Sequence, residues 1–497
     1  MTSPLSLEGL KTLPASIDRP AYRRDQQSPG IVHIGTGNFH RAHQAVYLDD
    51  LFNSGKDLDW AIVGAGFRAP DRAMRAALQG QDWLTTVVER EPGANKARVT
   101  SAMIDFLPVE EDRTPILAAL ADPKIRIVSL TITEGGYCID PATGNFDPEH
   151  PDIRADAARP DQPSHVFGVL VKALKARRDA GTMPFTVMSC DNIPGNGHAA
   201  KDTITGFARL VDADLAAWIE DQVAFPNSMV DRITPATTDR DRALLTERFG
   251  ITDAWPVFCE PFRQWVMQDH FGNGRPALEE VGVTFTEHVD AYELMKLRML
   301  NGGHAAIAYP AALLGIDIVS EAMSHALIGG FLDKLEREEV IPVVPPIDGE
   351  DRGAYLDLIT RRFANPEIVD TIPRLCQDGS NRQPKFILPS TRDRLASGQS
   401  VTGLALESAL WCRYCYGEDE SGKPIDIDDV QRDRLQEAAA RARTQPEAFL
   451  ELRDIFGDIA DSATFRRDFG NMLSSLWQNG VARTMQHYLD SPPTDAG

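Results

Sequence analysis

Short runs of aliphatic and β-branched residues, divided by glycine-rich or polar turns, mark the first half of the chain. Runs of this length and composition predict buried β-strands. The most apolar of them lie in the segments GIVHIG, DWAIVGAG, IRIVSLTIT and FTVMSC, and shorter ones follow in NSMVDRITP, WPVFCEPF and VGVTFTEHV. The pattern therefore predicts an open parallel α/β sheet in this part of the chain.

A glycine-rich turn joins the first of these strands to a helical segment that begins near Phe39. Strand, glycine turn and helix are typical of a Rossmann-type, dinucleotide-binding unit, in which glycines let the backbone approach a pyrophosphate. His40 stands where the third glycine of the usual motif would be, so the motif alone is weak. The candidate cofactor-binding residues of the turn are Gly35, Thr36, Gly37, Asn38 and Phe39.

An aspartate, Asp71, follows the second strand. At this position a carboxylate would accept hydrogen bonds from the adenosine ribose hydroxyls of NAD. Arg68 and Arg72 flank it and could instead hold the 2′-phosphate of NADP. The sequence thus favours NAD and leaves NADP tolerated.

Polar residues also follow the next two strands, with Glu134 after IRIVSLTIT and Asn192 after FTVMSC. Ligands of an open parallel sheet lie beyond the carboxyl ends of its strands, which would place both side chains in the binding crevice. Asp191 and Asn192 precede Pro194 and Gly195, however, so a simple turn explains them equally well. The sequence leaves both interpretations open.

Beyond residue 290, apolar residues recur at three- and four-residue spacing, which predicts a largely helical structure. The predicted helices cover residues 291–309, 319–335, 402–416, 432–457 and 463–490. The composition shift near 286–290 divides the chain into a Rossmann-type dinucleotide-binding domain, residues 1–286, and a mainly helical substrate-binding and catalytic domain, residues 287–497. A chain of 497 residues is long enough for two such cores.

Lys296, Asn301 and His304 lie on the first of these predicted helices. On an α-helix, Asn301 would lie about 140° and His304 about 80° around the axis from Lys296, so all three project from one half of the helix surface. A lysine among apolar neighbours loses hydration, which favours its neutral form and suits it to act as a general base. Alternatively, the lysine is a solvated side chain and the Asn-Gly-Gly sequence interrupts the helix.

Three basic residues, Arg374, Arg382 and Lys385, lie in or just before a turn-rich segment, DGSNRQPKF, between the later predicted helices. They are candidates for substrate binding. Basic residues in a loop are more often solvated than functional, so their position alone indicates little.

The charge balance, 51 basic against 73 acidic residues, gives a net charge of −22. This charge disfavours nucleic acid and anionic membrane surfaces as partners. The first residues lack the basic start and apolar core of a leader peptide, so we expect a cytoplasmic protein. The pairs Cys412/Cys415 and His40/His43 each lack the further ligands that a metal site needs, so we expect no metal.

Five segments together carry a resemblance to a known family: GTGNFHRAHQAVYLDDLF, SLTITEGGYCID, SCDNIPGNG, FPNSMVDRITP and KLRMLNGGHAA. From about residue 20 to residue 490, the chain resembles the polyol-specific long-chain dehydrogenases, most closely their bacterial branch that acts on mannitol. The Lys-x4-Asn-x2-His spacing is specific to that family.

The resemblance implies a Rossmann-type N-terminal domain, a mainly α-helical C-terminal domain and an active site in the cleft between them. It also implies a monomer that interconverts D-mannitol and D-fructose with NAD and without a metal. In the family, the lysine matching Lys296 is the general base, and the asparagines matching Asn192 and Asn301 hold the reacting oxygen. The histidine matching His304 orients that oxygen.

The resemblance assigns further residues to the polyol and to the proton. The residues matching Asp231 and Arg374 contact the polyol, and the acid matching Glu134 is linked to proton release. A substrate-contacting lysine of the family is Arg382 here, which keeps the charge but widens the donor fork. One of two acidic residues after the second strand is Pro70 here, so a carboxylate that would repel the 2′-phosphate of NADP is missing.

Other functions stay open at this point. Sister reactions of the family are the reduction of fructuronate and the oxidation of arabinitol or sorbitol. A protein that senses NAD without turnover would have no use for a positioned base such as Lys296. A zinc-dependent alcohol dehydrogenase would need a set of Cys and His ligands that this sequence does not display.

Overall fold

The computed structural model describes residues 3–140 and 144–492. The chain divides into two compact units, Met1–Asp290 (unit 1) and Ala291–Gly497 (unit 2). Over the described residues, no helix is both long and apolar enough to cross a membrane.

The strands of the chain lie in unit 1, as far as its residues are described. They are β1 (Ser3–Pro4), β2 (Pro29–Ile34), β3 (Ala61–Ala65), β4 (Thr85–Glu89), β5 (Lys96–Thr100), β6 (Met103–Phe106), β7 (Ile127–Leu130), β8 (Thr186–Ser189), β9 (Ser228–Asp231), β10 (Ile251–Thr252), β11 (Val257–Cys259), β12 (Gln264–Met267) and β13 (Thr284–Phe285).

The main sheet has five parallel strands in the order β6-β3-β2-β7-β8. Taken in chain order, these strands are arranged 3-2-1-4-5, the order of a Rossmann sheet. The direction in which strands are added reverses between β2 and β7, and ligands of such sheets bind at this switch point. The sheet thus places the glycine turn after β2 at the position where a dinucleotide is expected.

Helices connect the strands of unit 1. They are α1 (Asn38–Ala42), α2 (Gln44–Asn53), α3 (Ala69–Gln79), α4 (Thr114–Ala121), α5 (Pro151–Ala157), α6 (Val166–Asp179), α7 (Asn196–Val211), α8 (Ala213–Gln222) and α9 (Asp239–Phe249). Short 3-10 helices cover Gly9–Thr12, Arg24–Gln26, Leu58–Trp60, Glu134–Tyr137 and Leu278–Val281.

Alternate residues of the central strand β2 pack on opposite faces of the main sheet. Val32 and Ile34 belong to a core that includes α6, α7 and α8, whereas Ile31 belongs to a core that includes α2 and Trp265. Both faces are therefore covered, which explains why these strands carry apolar residues on both sides. Smaller sheets complete the unit, in the orders β11-β4-β5, β13-β12-β9 and β1-β10.

From Val289 on, the described secondary structure is helical apart from isolated bridges. The α-helices are α10 (Val289–Met295), α11 (Gly302–Leu313), α12 (Val319–Ser324), α13 (Ala326–Leu335), α14 (Arg352–Phe363), α15 (Ile372–Cys376), α16 (Gly379–Phe386), α17 (Leu388–Ala396), α18 (Thr402–Cys415), α19 (Arg432–Ala442), α20 (Arg453–Phe456), α21 (Ala463–Asn479) and α22 (Val481–Asp490). Two π-helical segments cover Lys296–Asn301 and Glu336–Val340, and 3-10 helices cover Ile341–Val343, Pro446–Glu451 and Gly457–Asp461.

Helix α18 lies at the centre of unit 2, since every residue from Gly403 to Cys415 is buried. It packs along α21. A helix that is buried on all sides forms the core of a helical unit. The predicted fold class, a Rossmann-type sheet followed by a mainly helical domain, is confirmed.

Several predicted helices are interrupted. The helix predicted over 319–335 breaks at His325, whose backbone is extended, and the one over 463–490 breaks at Gly480, where φ is +82°. The helix predicted over 432–457 ends at Ala442 and gives way to a 3-10 helix that begins at Pro446. Proline and glycine explain two of these ends, because proline cannot continue a hydrogen-bond ladder and glycine adopts positive φ freely.

The prediction of a turn-rich segment at DGSNRQPKF was wrong, because Gly379–Phe386 forms α16. Glycine, serine and asparagine are weak helix formers. Here a tertiary contact compensates, since the Ser380 amide and hydroxyl both donate to Asp429, at 2.8 and 2.7 Å. A long-range partner of this kind is invisible to a local sequence pattern.

Candidate active site

The glycine turn after β2 is shaped by close backbone packing. Gly35 has φ +98°, and a Cβ atom placed on it would lie 2.1 Å from the carbonyl oxygen of Thr131. A Cβ atom on Gly37 would have no neighbour closer than 3.8 Å. Gly35 is therefore required by the fold itself, whereas Gly37 leaves open space that a bound pyrophosphate could use.

The other candidate residues of this turn make contacts within unit 1. Thr36 is buried, and its hydroxyl lies 3.4 Å from the carbonyl oxygen of Ala65. Asn38 accepts a hydrogen bond from Arg41 at 2.7 Å, and the Phe39 ring stacks on another ring, that of His43, at a centroid distance of 4.8 Å. The turn is thus held by its own side chains, and its backbone is the part available to a ligand.

Asp71 caps the helix that follows β3. Its Oδ2 accepts hydrogen bonds from the backbone amides of Phe67 and Arg68, at 2.9 and 2.8 Å. Its Oδ1 lies 4.0 Å from the guanidinium of Arg68, whose side chain is largely exposed. Arg72 turns to the carbonyl of Val109 at 3.0 Å. Asp71 therefore stabilises the start of this helix, at the position where a ribose is expected.

Glu134 and Asn192 lie where β7 and β8 end, and both are exposed. Asp191 connects their loops, because its carboxylate accepts from the backbone amides of Ile132 and Thr133, at 3.0 and 2.7 Å. Burial raises the pKa of the Asp191 carboxyl, and its hydrogen bonds offset that effect only in part. The structure thus brings Glu134 and Asn192 to one edge of the sheet.

The Asp191 anchor extends to a buried tyrosine. The hydroxyl of Tyr137 donates to Asp191 at 2.8 Å and also lies 2.5 Å from the Ser189 hydroxyl. The sequence had indicated only turn chemistry at Asp191. Its position directly after a strand was the one signal that could have pointed to this role.

Asp231 ends β9 and is buried. The next residue, Arg232, fixes this strand end, because its guanidinium is fully buried and donates to the carbonyl of Glu260 at 3.0 Å. It also donates to the carbonyl of Ala42 at 2.5 Å and forms an ion pair with Glu89 at 2.6 Å. A buried arginine with three acceptors orders the segment on which Asp231 lies.

In unit 2, Lys296 and Asn301 are the first and last residues of a π-helical segment that continues into α11. Lys296 is buried, with 7% of its surface exposed. The helix is not interrupted at Gly302 and Gly303, so the Asn-Gly-Gly sequence is no helix break.

The π-helical segment alters the predicted geometry of the pair. A π-turn is closed by hydrogen bonds between residues five apart, so Asn301 lies about one turn above Lys296 instead of about 140° around the axis. This departure from the regular α-helix brings both side chains toward one face. Segments of this kind occur frequently at functional sites.

His304 lies one turn further along and is partly buried. Its ring stacks on Phe363, at a centroid distance of 4.2 Å and an interplanar angle of 21°. The stacking restricts the orientation of the imidazole. Lys296, Asn301 and His304 thus lie on one continuous helical run.

The three basic candidates of unit 2 lie on adjacent helices. Arg374 on α15 is exposed and pairs with Asp370, 2.5 Å from its Nε. Arg382 on α16 donates to the Leu375 carbonyl at 3.0 Å, and Lys385 is exposed. Helix α16 also contacts the π-helical segment that carries Lys296 and Asn301.

No group of three or more His, Cys, Asp or Glu side chains suited to a metal ion occurs within residues 3–140 and 144–492. His40 and His43 are buried, which lowers the pKa of each to about 3. His40 bonds to Gln44 at 2.9 Å and His43 lies 2.8 Å from the carbonyl of Gln264. Both histidines thus belong to the packing behind the glycine turn.

A Rossmann unit followed by a helical unit with a buried lysine defines the chain as a dehydrogenase-type fold. Its residues 29–280 match the mannitol dehydrogenase Rossmann domain, and residues 288–477 match the mannitol dehydrogenase C-terminal domain. The chain belongs to the mannitol dehydrogenase family, and the resemblance read from the sequence is confirmed.

Individual relatives agree with this assignment. The chain is 56% identical to mannitol 2-dehydrogenase of Cereibacter sphaeroides, over 95% of this chain and 99% of the relative. It is 41% identical to mannitol 2-dehydrogenase of Aspergillus terreus, over 95% of both chains.

Two solved structures are similar over almost the whole chain. Mannitol 2-dehydrogenase of Pseudomonas fluorescens, in ternary complex with NAD and D-mannitol, has 42% identity and a TM-score of 0.88, with 99% of this chain and 100% of that chain covered. A substrate-free D-sorbitol dehydrogenase has 35% identity and a TM-score of 0.90, with 97% of this chain and 100% of that chain covered.

Proposed function

We propose that this protein is an NAD-dependent polyol dehydrogenase that interconverts D-mannitol and D-fructose without a metal ion. The observation that carries the proposal is a buried lysine, Lys296, one π-helical turn below Asn301 in a chain of the mannitol dehydrogenase family. The Cereibacter relative and the Pseudomonas complex with NAD and D-mannitol support the choice of substrate and cofactor.

The cofactor would be held by unit 1. The open side of Gly37 would receive the pyrophosphate, and Asp71 and Arg68 at the end of β3 would meet the adenosine ribose. One carboxylate beside an exposed arginine favours NAD and leaves NADP tolerated. NAD, when bound, supplies the acceptor for the hydride.

A few side chains would carry out the oxidation of the alcohol. Neutral Lys296 takes the proton of the C2 hydroxyl while a hydride leaves C2, so that the alcohol becomes a ketone. The amides of Asn192 and Asn301 donate to the oxygen as it gains negative charge, and His304 orients that oxygen.

Other polar residues would bind the rest of the polyol and release the proton. The hydroxyls distant from C2 would meet Asp231, Arg374, Arg382 and Lys385. Glu134, exposed at the end of β7, would pass the proton from Lys296 toward solvent. The steps require no metal ion, and no group of ligands suited to one occurs among the described residues.

A second candidate is oxidation of D-sorbitol, which the similarity to a D-sorbitol dehydrogenase favours. Steady-state assays with D-mannitol, D-sorbitol, D-arabinitol and mannonate, each with NAD and NADP, separate the candidates. We expect the highest kcat/KM with D-mannitol and NAD, and the same rate after exhaustive chelation. A higher kcat/KM with another substrate, or activity that is lost to EDTA and restored by zinc, would contradict the proposal.

A further inference from the structure

The carbonyl oxygen of Gly35 is the most constrained atom of the glycine turn. It accepts a hydrogen bond from the backbone amide of Gly37 at 2.6 Å, which closes a three-residue turn around Thr36. It accepts a second one from the hydroxyl of Thr131, also at 2.6 Å. The Nε2 atom of His33 lies 3.2 Å from the same oxygen, so the carbonyl has three polar neighbours.

A buried histidine continues this chain of hydrogen bonds. The Nε2 atom of His33 lies 2.9 Å from the Thr131 hydroxyl oxygen, and its Nδ1 atom lies 2.8 Å from the Ser129 hydroxyl. Ser129 and His33 face each other in the register of β7 and β2. The His33 ring also stacks on His40 of α1, at a centroid distance of 3.4 Å.

The partners allow a single pattern of donors. Thr131 has one hydroxyl proton, and the Gly35 carbonyl takes it, so its oxygen must accept from the N–H of His33 Nε2. Burial lowers the pKa of His33 well below its usual range, and the nearby His40 lowers it further, so the ring is neutral. Nδ1 therefore accepts from the Ser129 hydroxyl, and every member of the chain is satisfied.

This chain of hydrogen bonds lies where a dinucleotide is expected to bind. It joins β2 to β7, the two strands between which the order of the main sheet reverses. Its last bond shapes the turn whose backbone faces the open space at Gly37. A network that served stability alone could lie anywhere in the core.

We propose that Ser129, His33 and Thr131 form a positioning relay that holds the Gly35–Gly37 turn in the conformation that receives the pyrophosphate of NAD. The relay contacts neither substrate nor cofactor and acts through the Gly35 carbonyl. This inference deepens the proposed function, because it rests on NAD as the cofactor.

Thr131→Val tests the relay, since valine keeps the shape of threonine and removes the hydroxyl. We expect the dissociation constant for NAD, measured by titration of the full chain, to rise about tenfold, the loss that one hydrogen bond can cause. Thr131→Ser restores the hydroxyl and should return the dissociation constant to within about twofold of wild type. The KM for D-mannitol at saturating NAD should change less than the KM for NAD.

Thr100→Val is the matched control. Thr100 is a buried threonine of unit 1, and Thr131 is partly buried. Like the hydroxyl of Thr131, that of Thr100 donates to a backbone carbonyl, that of Thr85 at 3.3 Å, in a different sheet. Both valine variants should lower the unfolding midpoint, but only Thr131→Val should weaken NAD binding. Equal dissociation constants for the two variants would overturn the proposal.

Two further variants keep the test decisive if Thr131→Val does not fold. Ser129→Ala and His33→Gln remove the other two members of the relay, and each should weaken NAD binding by about threefold or more. Unchanged binding in both would also overturn the proposal. If wild-type protein itself does not bind NAD, the assigned cofactor fails, which is a different outcome from a failed relay.

Discussion

At the scale of single residues, polar side chains at the strand ends of unit 1 accept hydrogen bonds from backbone amides, in addition to the roles proposed for them in binding and catalysis. Asp191 binds two amides and a tyrosine hydroxyl, and Asp71 binds two amides of the turn before α3. Charge-assisted hydrogen bonds of this kind are the strong ones in proteins. A substitution at either aspartate therefore disturbs a loop as well as a charge.

The general base can be tested at Lys296. Lys296→Ala should lower D-mannitol oxidation by at least about 10²-fold, the lower end of what general base catalysis contributes, with little change in NAD binding. Lys423→Ala, at an exposed lysine of the same unit, is the control and should keep wild-type activity. Wild-type oxidation should rise with pH as the amine loses its proton. If Lys296→Ala keeps activity within a few-fold of wild type, another residue is the general base. Glu134 would then be the next candidate to test.

Asp71→Asn should have two separable effects. Losing the carboxylate of a capping box costs about 1 kcal/mol of unfolding free energy. The same loss should weaken the binding of NAD more than the binding of NADP, because a carboxylate that accepts hydrogen bonds from the ribose hydroxyls also repels the 2′-phosphate. Denaturation measures the first effect, and the ratio of the two dissociation constants measures the second.

Asp241→Asn is the control for this prediction. Asp241 holds the corresponding capping-box position of α9, where it accepts from the Thr238 amide at 2.7 Å. It should lower stability and leave the ratio of NAD to NADP affinity unchanged. If Asp71→Asn leaves that ratio unchanged as well, Asp71 serves only as a helix cap.

Residue types at strand ends were predictable from the sequence, but their partners were not. Asp71 and Asn192 were singled out because polar residues directly follow apolar runs. The cap made by Asp71 and the anchor made by Asp191 depend on how turns fold back, and the His33 relay depends on strands far apart in the chain. Such contacts become visible only when the sheet order is known.

At the scale of elements, the π-helical segment from Lys296 to Asn301 departs most from what periodicity predicts. A π-turn holds one more residue than an α-turn, and a pattern of apolar positions does not reveal it. Strands β2, β3, β7 and β8 were all predicted, because buried parallel strands are continuously apolar. Helix α16 was missed, because a contact with Asp429 outweighs its weak helix formers.

Inserting an alanine between Leu297 and Arg298 tests whether the register of the π-turn matters. The extra residue should turn Lys296 by about 100° relative to Asn301 and His304. We expect D-mannitol oxidation to fall at least about 10²-fold, because a misplaced base loses the near-attack geometry. Circular dichroism should show retained helix content, and NAD binding should persist.

The matched control is insertion of an alanine after Arg337, an exposed residue of the other π-helical segment, Glu336–Val340. Both insertions disturb a π-turn in unit 2, but the control leaves the Lys296 to His304 spacing intact. If the two variants lose activity equally relative to their loss of stability, the position of the π-turn has no specific role.

At the scale of the whole molecule, the net charge of −22 coexists with carboxyls deep inside unit 2. Burial raises the pKa of Glu407 to about 8, although Gln383 donates to it at 2.6 Å. Burial likewise raises the pKa of Glu339 to about 7, although the amides of Gly403 and Leu404 bond to it. The helical pattern predicted a buried core here, but not which acids lie within it.

These two glutamates should make stability fall as pH rises. An unfolded glutamate titrates near pH 4.3, so between about pH 4.5 and 8 the folded chain binds more protons than the unfolded chain. Raising the pH through this window therefore favours unfolding. Glu407→Gln removes one titrating group while keeping its shape, so its unfolding free energy relative to wild type should increase from pH 5 to pH 9, on the order of 3 kcal/mol.

Denaturant unfolding at several pH values measures this difference, and Glu437→Gln, at an exposed glutamate of α19, is the control. The control should follow the wild-type pH dependence, because it leaves Glu407 and its surroundings unchanged. A Glu407→Gln profile parallel to wild type over the whole range would mean that Glu407 is ionised in the folded chain. The Gln383 amide would then have to stabilise a buried carboxylate almost as well as water does.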